Sequence, residues 1–319
     1  MHIEESSAET MSHRWAVILA GGDGKRLLPL TRKISGDDRP KQFCPVFGDG
    51  TLLDQTCQRV ARIVSPRRTF AIVTRAHERY YSGADWEFNT AAFLIQPCNK
   101  GTAPAIVYSL MRLRELDPLA LVGVFPSDHH FGDDDAFADC VSQAFESASN
   151  SSKLILLGIK PDQPEEGYGW IEPGEPMAAH GPGLIFAVNR FWEKPSRTAA
   201  VELLRRGCLW NSFIMTGRVD VFLGLVRRAL PDLCESFESI RKALFTEEEG
   251  PAMLDLYLSL PSTSFSHDVL SVCASDLAVL CSKALSWTDV GEVDRALSLI
   301  ERKTAASDHE IAAWHTAAG

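Results

Sequence analysis

Residues 15–27 read WAVILAGGDGKRL, and this stretch decides the fold. The apolar run Trp15–Ala20 is one strand long and stops at Gly21-Gly22-Asp23-Gly24. Three glycines in four residues let the backbone approach a ligand closely and turn successive N–H groups toward it. A strand that empties into such a loop is how an open α/β sheet begins a ligand site at its carboxyl edge.

Working outward, strands and helices alternate. TFAIVT (69–74), AAFLIQ (91–96), ALVGVF (120–125) and KLILLGIK (153–160) read as strands. Between them, helical spacing appears over 51–64 (Leu52, Leu53, Val60, Ile63, Val64), 103–116 (Ile106, Leu110, Leu113) and 133–148 (Phe137, Val141, Phe145). Asp133, Asp134 and Asp135 suit the N-terminal dipole of the last of these. The second half is less regular. Strand-like runs occur at 183–188, 209–216 and 277–282, and helices are expected at 197–206, 219–229, 232–245 and 292–302. Ser196 is placed to N-cap the first of these helices and Gly207 to end it. The pattern predicts an α/β, Rossmann-like single domain: a mixed, mainly parallel sheet flanked by helices, with the second half covering one side. Residues 1–13 and 305–319 read as tails around a folded unit, 14–304.

Composition narrows the function. The chain is 45% apolar and 23% charged, which excludes a mainly disordered or fibrous protein. The formal net charge of −10 argues against nucleic-acid binding. Between residues 21 and 42, however, Lys25, Arg26, Arg32, Lys33, Arg39 and Lys41 outnumber Asp23, Asp37 and Asp38. A locally basic glycine loop in an acidic chain points to a triphosphate or similar polyanion. No apolar run is long enough to span a bilayer, and Met1–His13 lacks the basic-then-apolar order of a secretory signal. None of the eight cysteines forms a CxxC pair, so reduced thiols, no zinc site and a cytoplasmic location are expected.

Two familiar phosphate loops do not fit. GxxxxGK[ST] is absent, and Gly22-Asp23-Gly24 lacks the third glycine of GxGxxG. Pro29 opposes a helix starting at the usual place, so the cradle is expected to be an extended loop completed by side-chain cations.

LAGGDGKRLLPLTR (19–32) followed by RPKQF (39–43) resembles the signature of the sugar-phosphate nucleotidyltransferases. The PKQF form is similar to that of the mannose-1-phosphate guanylyltransferases. QPCNKGTAPAI (96–106), FPSDHH (125–130), GYGWIEPG (167–174), FWEKPS (191–196), WNSFIM (210–215) and SWTDVG (286–291) follow in the family's order. The resemblance spans residues 15 to about 303 and implies a GT-A-type fold. It implies guanylyl transfer from GTP to α-D-mannose 1-phosphate with Mg²⁺ as cofactor. Other hexose 1-phosphates or nucleoside triphosphates, and a non-catalytic nucleotide-sugar binder, remain as alternatives.

The resemblance also implies roles. Arg26, Lys41 and Asp128 would be catalytic. Ala20, Gly21, Gly22, Gly24, Arg26, Lys41, Gln96, Gly101, Thr102 and Ala103 would hold the nucleotide. Gln96 would supply an acceptor to guanine, although it stands where many relatives carry Glu, and Gly101 where they carry Asn. Gly169, Glu172, Glu193, Lys194 and Asn211 would hold the sugar phosphate. Asp128 and Asp289 would bind the metal. Trp170, Trp192 and Trp210 flank these positions and could wall the sugar site or pack the core. His129 and His130 are expected to make local hydrogen bonds. Residues 34–38 lengthen the loop before PKQF, and SFSHDVL (264–270) departs from the family pattern. A single activity is expected, with no membrane or nucleic-acid partner and with homo-oligomerisation left open.

Overall fold

The computed structural model describes residues 12–48, 50–83, 92–177, 184–282 and 285–301. The tails expected at 1–13 and 305–319 lie mostly outside that range. Within it, His13 already pairs through Nδ1 with Asp117, at 2.8 Å.

The chain runs β1 (Arg14–Leu19), α1 (Leu28–Ser35), α2 (Leu52–Ala61), β2 (Thr69–Thr74), α3 (Glu78–Tyr81), β3 (Ala92–Gln96), α4 (Thr102–Leu116), β4 (Leu121–Pro126) and β5 (His129–Phe131). It continues through α5 (Asp134–Ser149), β6 (Leu154–Ile159), β7 (Gly169–Met177), β8 (Ile185–Glu193), α6 (Arg197–Arg205), β9 (Leu209–Arg218) and α7 (Val219–Ala229). Then come α8 (Pro231–Ser239), α9 (Glu249–Ser259), β10 (Leu277–Ser282), β11 (Trp287–Asp289) and a helical segment at 293–301. Local chemistry sets the helix starts. Thr51 and Asp54 form a capping box on α2, the Asp133 carboxylate accepts from the N–H groups of Asp135 and Ala136, and Ser196 accepts from Ala199.

Among the described residues nine strands form one sheet in the order β3-β2-β1-β4-β9-β6-β10-β8-β7. The pairs among β3, β2, β1 and β4 are parallel. Beyond β4 the sheet is mixed: β9 runs antiparallel to β4 and β6, β8 to β10, and β7 to β8, whereas β10 and β6 are parallel. The expectation that the second half would cover one side of the sheet is therefore corrected. Its strands enter the sheet and extend it, because β6, β9 and β10 each carry a run that must be buried between layers, and β8 buries Ile185, Val188 and Phe191.

Alternation within β1 sorts the core. Val17 joins the layer under α4, α7, α8 and α9, while Ala16 and Ile18 join the layer under α2, α5 and α6. A smaller cluster (Leu27, Leu30, Cys44, Val46, Leu52, Val290, Ala296) docks the 293–301 helix against α1. Among the described residues no helix is long and apolar enough to cross a membrane.

An ionic knot ties α9 to α4. Glu249 accepts from the Tyr108 hydroxyl at 2.8 Å and the Phe245 N–H at 2.7 Å, and it pairs with Arg112. Burial pushes its carboxyl up, but Arg112, the Phe245 N–H and Tyr108 outweigh it and hold the carboxyl below the ordinary range. A group with a depressed folded value stabilises above its unfolded pKa, about 4.3 for Glu, and loses that contribution as pH falls through the folded value. Glu249→Gln is expected to cost about 1–3 kcal/mol at neutral pH. Urea melts of both proteins check this: the gap should narrow by about pH 3, and a gap equal at both pH values would contradict it.

Candidate active site

A cavity of about 380 Å³ opens at the carboxyl ends of β1, β3 and β4, facing residues from β7, β8, β9 and β11. That is where an open α/β sheet has unpaired edges and loops free to diverge.

Its floor is the glycine loop. Thr74 donates from Oγ1 to the Gly21 carbonyl at 2.8 Å, and Gln42 donates from Nε2 to the carbonyls of Ala20 at 2.8 Å and Gly22 at 2.7 Å. Gly24 has φ +62°, and a Cβ there would lie 2.9 Å from the Lys41 backbone nitrogen. Only glycine fits both constraints, so the loop packs directly on the PKQF segment. With the carbonyls tied back, no described residue accepts from the N–H groups of Gly21, Gly22 or Gly24. These donors are left for an anion.

One wall is acidic. Ser127 donates from Oγ to the Leu19 carbonyl at 2.6 Å, fastening the exit of β4 to the end of β1. β5 and β11 pair antiparallel with His129 opposite Asp289, and the Val290 N–H donates to the Asp128 carbonyl at 3.2 Å. This small ribbon brings Asp289 to Asp128. Between them lies the Lys41 ammonium, 2.7 Å from Asp128 Oδ2, 3.7 Å from Asp289 Oδ1 and 2.8 Å from the Val290 carbonyl that accepts from it. Burial disfavours charge on both Lys41 and Asp128, but their mutual attraction wins. Lys41 is shifted up with help from Asp289, and Asp128 is shifted down with help from His129. The pair is therefore ionised. His129 is held below the ordinary histidine value by burial, against the pull of Asp128 and Asp289. The Trp287 indole donates to its Nδ1 at 3.2 Å, which leaves the ring proton on Nε2, 3.8 Å from Asp128 Oδ1.

The remaining walls carry Gln96, Asn99, Gly101, Thr102 and Ala105 on one side and Gly167, Tyr168, Gly169, Glu193, Asn211, Phe213, Ser266 and Trp287 on the other. Gly101 and Thr102 open α4, so the positive end of a 15-residue helix points at the cavity. Burial raises Glu193 despite Lys194, His267 and Ser266.

The structure thus brings Gly21, Gly22, Gly24, Lys41, Gln96, Gly101, Thr102, Asp128, Gly169, Glu193, Asn211 and Asp289 to one cavity. Ala20, Arg26, Ala103, Glu172 and Lys194 do not line it. The Ala20 N–H and carbonyl are spent on Ile72 and Gln42, and the Ala103 N–H donates to the Thr263 carbonyl. Neither backbone is free for a nucleotide. The Arg26 side chain is 66% exposed, 4.0 Å from Glu292. Lys194, at φ +49°, turns outward with its ammonium 3.8 Å from Glu193. Glu172 is a correction. GYGWIEPG folds as a strand, whose two-residue period puts Glu172 on the face opposite Gly169, where it pairs with Arg206.

The expected basic cluster is corrected too. Arg32 pairs with Asp38, Arg39 with Asp37 and Lys25 with Asp23, so of the six cations only Lys41 lines the cavity. Trp170 and Trp210 pack edge-to-face in the core, and Trp192 lies against Arg190. The tryptophan on the cavity wall is Trp287 instead. Among the described residues no cysteine is in a disulfide, and no cluster of three or more His, Cys, Asp or Glu could hold a metal. The sequence reading passes over Gln42, Tyr168 and Trp287, although each sits inside a quoted motif within two positions of a residue that is singled out.

Residues 15–306 match the family model described as nucleotidyl transferase. Mannose-1-phosphate guanylyltransferase 2 of Escherichia coli O157:H7 is 32% identical over 287 residues, covering 86% of this chain and 58% of the relative. Mannose-1-phosphate guanylyltransferase of E. coli K12 is 32% identical over 292 residues, covering 88% and 58%. The chain thus spans less than two thirds of the curated relatives it matches. Among solved structures, a mannose-1-phosphate geranyltransferase from Thermus thermophilus superimposes with a TM-score of 0.76 at 30% identity, over 90% of this chain and 79% of that one.

Proposed function

This chain belongs to the nucleotidyl transferase family, and from that premise we propose that it transfers a guanylyl group from GTP to α-D-mannose 1-phosphate, releasing pyrophosphate. The observation that carries this reading is the meeting of Lys41, Asp128 and Asp289, from three separate motifs, opposite a loop of unpartnered backbone N–H groups. An ammonium, two carboxylates and free N–H donors are what a site needs to gather phosphates and stabilise charge as it shifts between them.

Asp128 and Asp289 both reach the point held by the Lys41 ammonium, and hard carboxylate oxygens suit Mg²⁺. Bound there, the ion would neutralise charge on the triphosphate. The chain's own residues do the rest. The N–H groups of the glycine loop and the N-terminus of α4 bind phosphate oxygens, and Lys41 adds a full positive charge. Gly169, Glu193 and Asn211 face the sugar; the Asn211 Oδ1 accepts from the Phe213 N–H at 3.1 Å, which fixes its amide. A phosphate oxygen of the sugar forms a bond to the α-phosphorus while the bond to the pyrophosphate oxygen breaks. The Ser127 hydroxyl is committed to Leu19, and no cysteine lines the cavity. This favours one in-line displacement with no covalent nucleotidyl intermediate. Pyrophosphate release in a panel of four nucleoside triphosphates against mannose 1-phosphate and glucose 1-phosphate tests the reading. Release that does not depend on sugar phosphate would overturn it.

Lys194 supplies a second, milder test. Its ammonium lies outside the cavity wall but close enough to Glu193 to reach an anion at the mouth. Lys194→Ala is expected to raise KM for the sugar 1-phosphate about tenfold, the size of one charge-assisted contact, and to leave KM for GTP within about twofold. Equal effects on both substrates would remove Lys194 from the sugar side.

A further inference from the structure

Gln96, which the sequence reading casts as an acceptor for guanine, is only 2% exposed and sits at the end of β3. Its Oε1 accepts from the Tyr257 hydroxyl at 3.1 Å. Tyr257 comes from the last turn of α9 and is fully buried. Its hydroxyl has no other partner among the described residues, so the only acceptor for its hydrogen is the Gln96 carbonyl oxygen. That requirement fixes which end of the carboxamide points inward. The NH₂ end then faces the glycine loop, so close that a Cβ on Gly21 would lie 2.5 Å from Nε2. Nε2 has no hydrogen-bond partner among the described residues, although Gln96 lines the cavity. A buried amide with its oxygen tied down and its nitrogen unpartnered at the cavity wall offers a donor to whatever binds there.

We propose that Tyr257 is a positioning residue for base selection. By holding the Gln96 oxygen it makes the pocket present an N–H donor, so that a base carrying an exocyclic oxygen on that edge is accepted and one carrying an amino group is rejected. Guanine and uracil belong to the first class, adenine and cytosine to the second. This rests on the nucleotidyl-transfer reading only for where the base lies. Burial keeps the Tyr257 phenol well above its ordinary pKa, so the hydroxyl remains a donor at any working pH. The Glu249 knot, one end of α9, holds the helix that carries it. Without the hydroxyl the amide is free to turn over and present its oxygen. An amino base would then meet an acceptor instead of a second donor.

The experiment compares Tyr257→Phe with wild type in kcat/KM for GTP, UTP, ATP and CTP, with mannose 1-phosphate saturating, and in binding of GTP and ATP by calorimetry. The preference for GTP over ATP is expected to fall about tenfold in Tyr257→Phe, because a pocket built around a fixed donor loses that discrimination when the donor can turn. A role confined to stability would lower both rates together and leave their ratio unchanged, and that result would overturn the proposal. Gln96→Leu should lower the same ratio, and adding Tyr257→Phe to it should change the ratio no further; a further fall would show that Tyr257 acts by another route. Each readout is a ratio of two nucleotides measured on one preparation, so a partly unfolded Tyr257→Phe sample lowers both rates together and leaves the ratio to decide. A wild-type enzyme that prefers ATP or CTP would overturn the inference while leaving nucleotidyl transfer intact. Absence of transfer with every triphosphate would sink the functional reading, and the calorimetric ratio would still decide the role of Tyr257.

Discussion

Asp128→Asn is expected to remain folded and to lose at least about a hundredfold in turnover, the cost of removing an electrostatic stabiliser of transferring charge. Asparagine keeps the shape of the side chain and can still accept from Lys41. What disappears is the negative charge, which Lys41 and His129 hold in the ionised state against burial. Asp289→Asn should lose activity on the same scale but disturb the fold less, because its carboxylate stands 3.7 Å from the ammonium and that of Asp128 stands 2.7 Å. For Asp128→Asn a stability loss of about 1–3 kcal/mol is expected, since a buried cation is left with a weaker partner. Pyrophosphate release at saturating Mg²⁺, with circular dichroism to confirm folding, measures both effects. Near-wild-type turnover in both variants would remove these carboxylates from the chemistry.

The parts of the fold legible in the sequence are those in which one period runs unbroken. TFAIVT becomes β2 with the boundaries read from it, and 219–229 becomes α7. Where proline interrupts a period, the reading fails for an identifiable reason. Pro29 does not prevent a helix; it occupies the first turn of α1, where no N–H is needed. Gly250-Pro251 hides the start of α9 in the same way. Pro173, Gly174 and Pro176 hide β7, which tolerates them because it ends the sheet order and shifts register at Pro173. Sheet direction is legible only where a helix has to cross between strands. The antiparallel pairings of β7, β8 and β9 depend on which strand lies beside which, and the local pattern does not carry that.

At the site, motif order locates the cavity but cannot say which way side chains point. Glu172 and Gly169 are three residues apart in one motif and face opposite sides of a strand. Arg26 lies in the glycine loop signature, yet it leaves the cavity for Glu292, because the turn at Lys25–Leu27 sends its side chain outward. Gln42 is the converse. It neighbours Lys41, and its importance lies in two backbone carbonyls about twenty positions earlier. A contact of that kind has no signature in a single sequence. The same holds for Tyr257 and Gln96, whose meeting needs α9 to be laid across the end of β3.

Lys41→Met is expected to cost at least about a hundredfold in turnover, and its response to Mg²⁺ separates two roles that the charge could have. Methionine replaces most of the buried stem but leaves Asp128 and Asp289 facing one another with no cation between them. Like charges at that range oppose the folded state, so the variant should melt below wild type. A divalent cation that binds the two carboxylates stabilises the folded form by mass action, and in the variant no ammonium competes for the same oxygens. The melting temperature of Lys41→Met should therefore rise more steeply with Mg²⁺ than that of wild type. Turnover should not follow it. If Lys41 also holds phosphate during transfer, a metal between the aspartates cannot replace the ammonium that has to move onto the nucleotide. Thermal melts and pyrophosphate release measured over the same Mg²⁺ series decide the point. Stability restored without activity places Lys41 on the triphosphate. Stability and activity restored together would mean that the ammonium only neutralises the aspartates, and the transferring phosphate would then have to be held by the backbone donors of the glycine loop and α4.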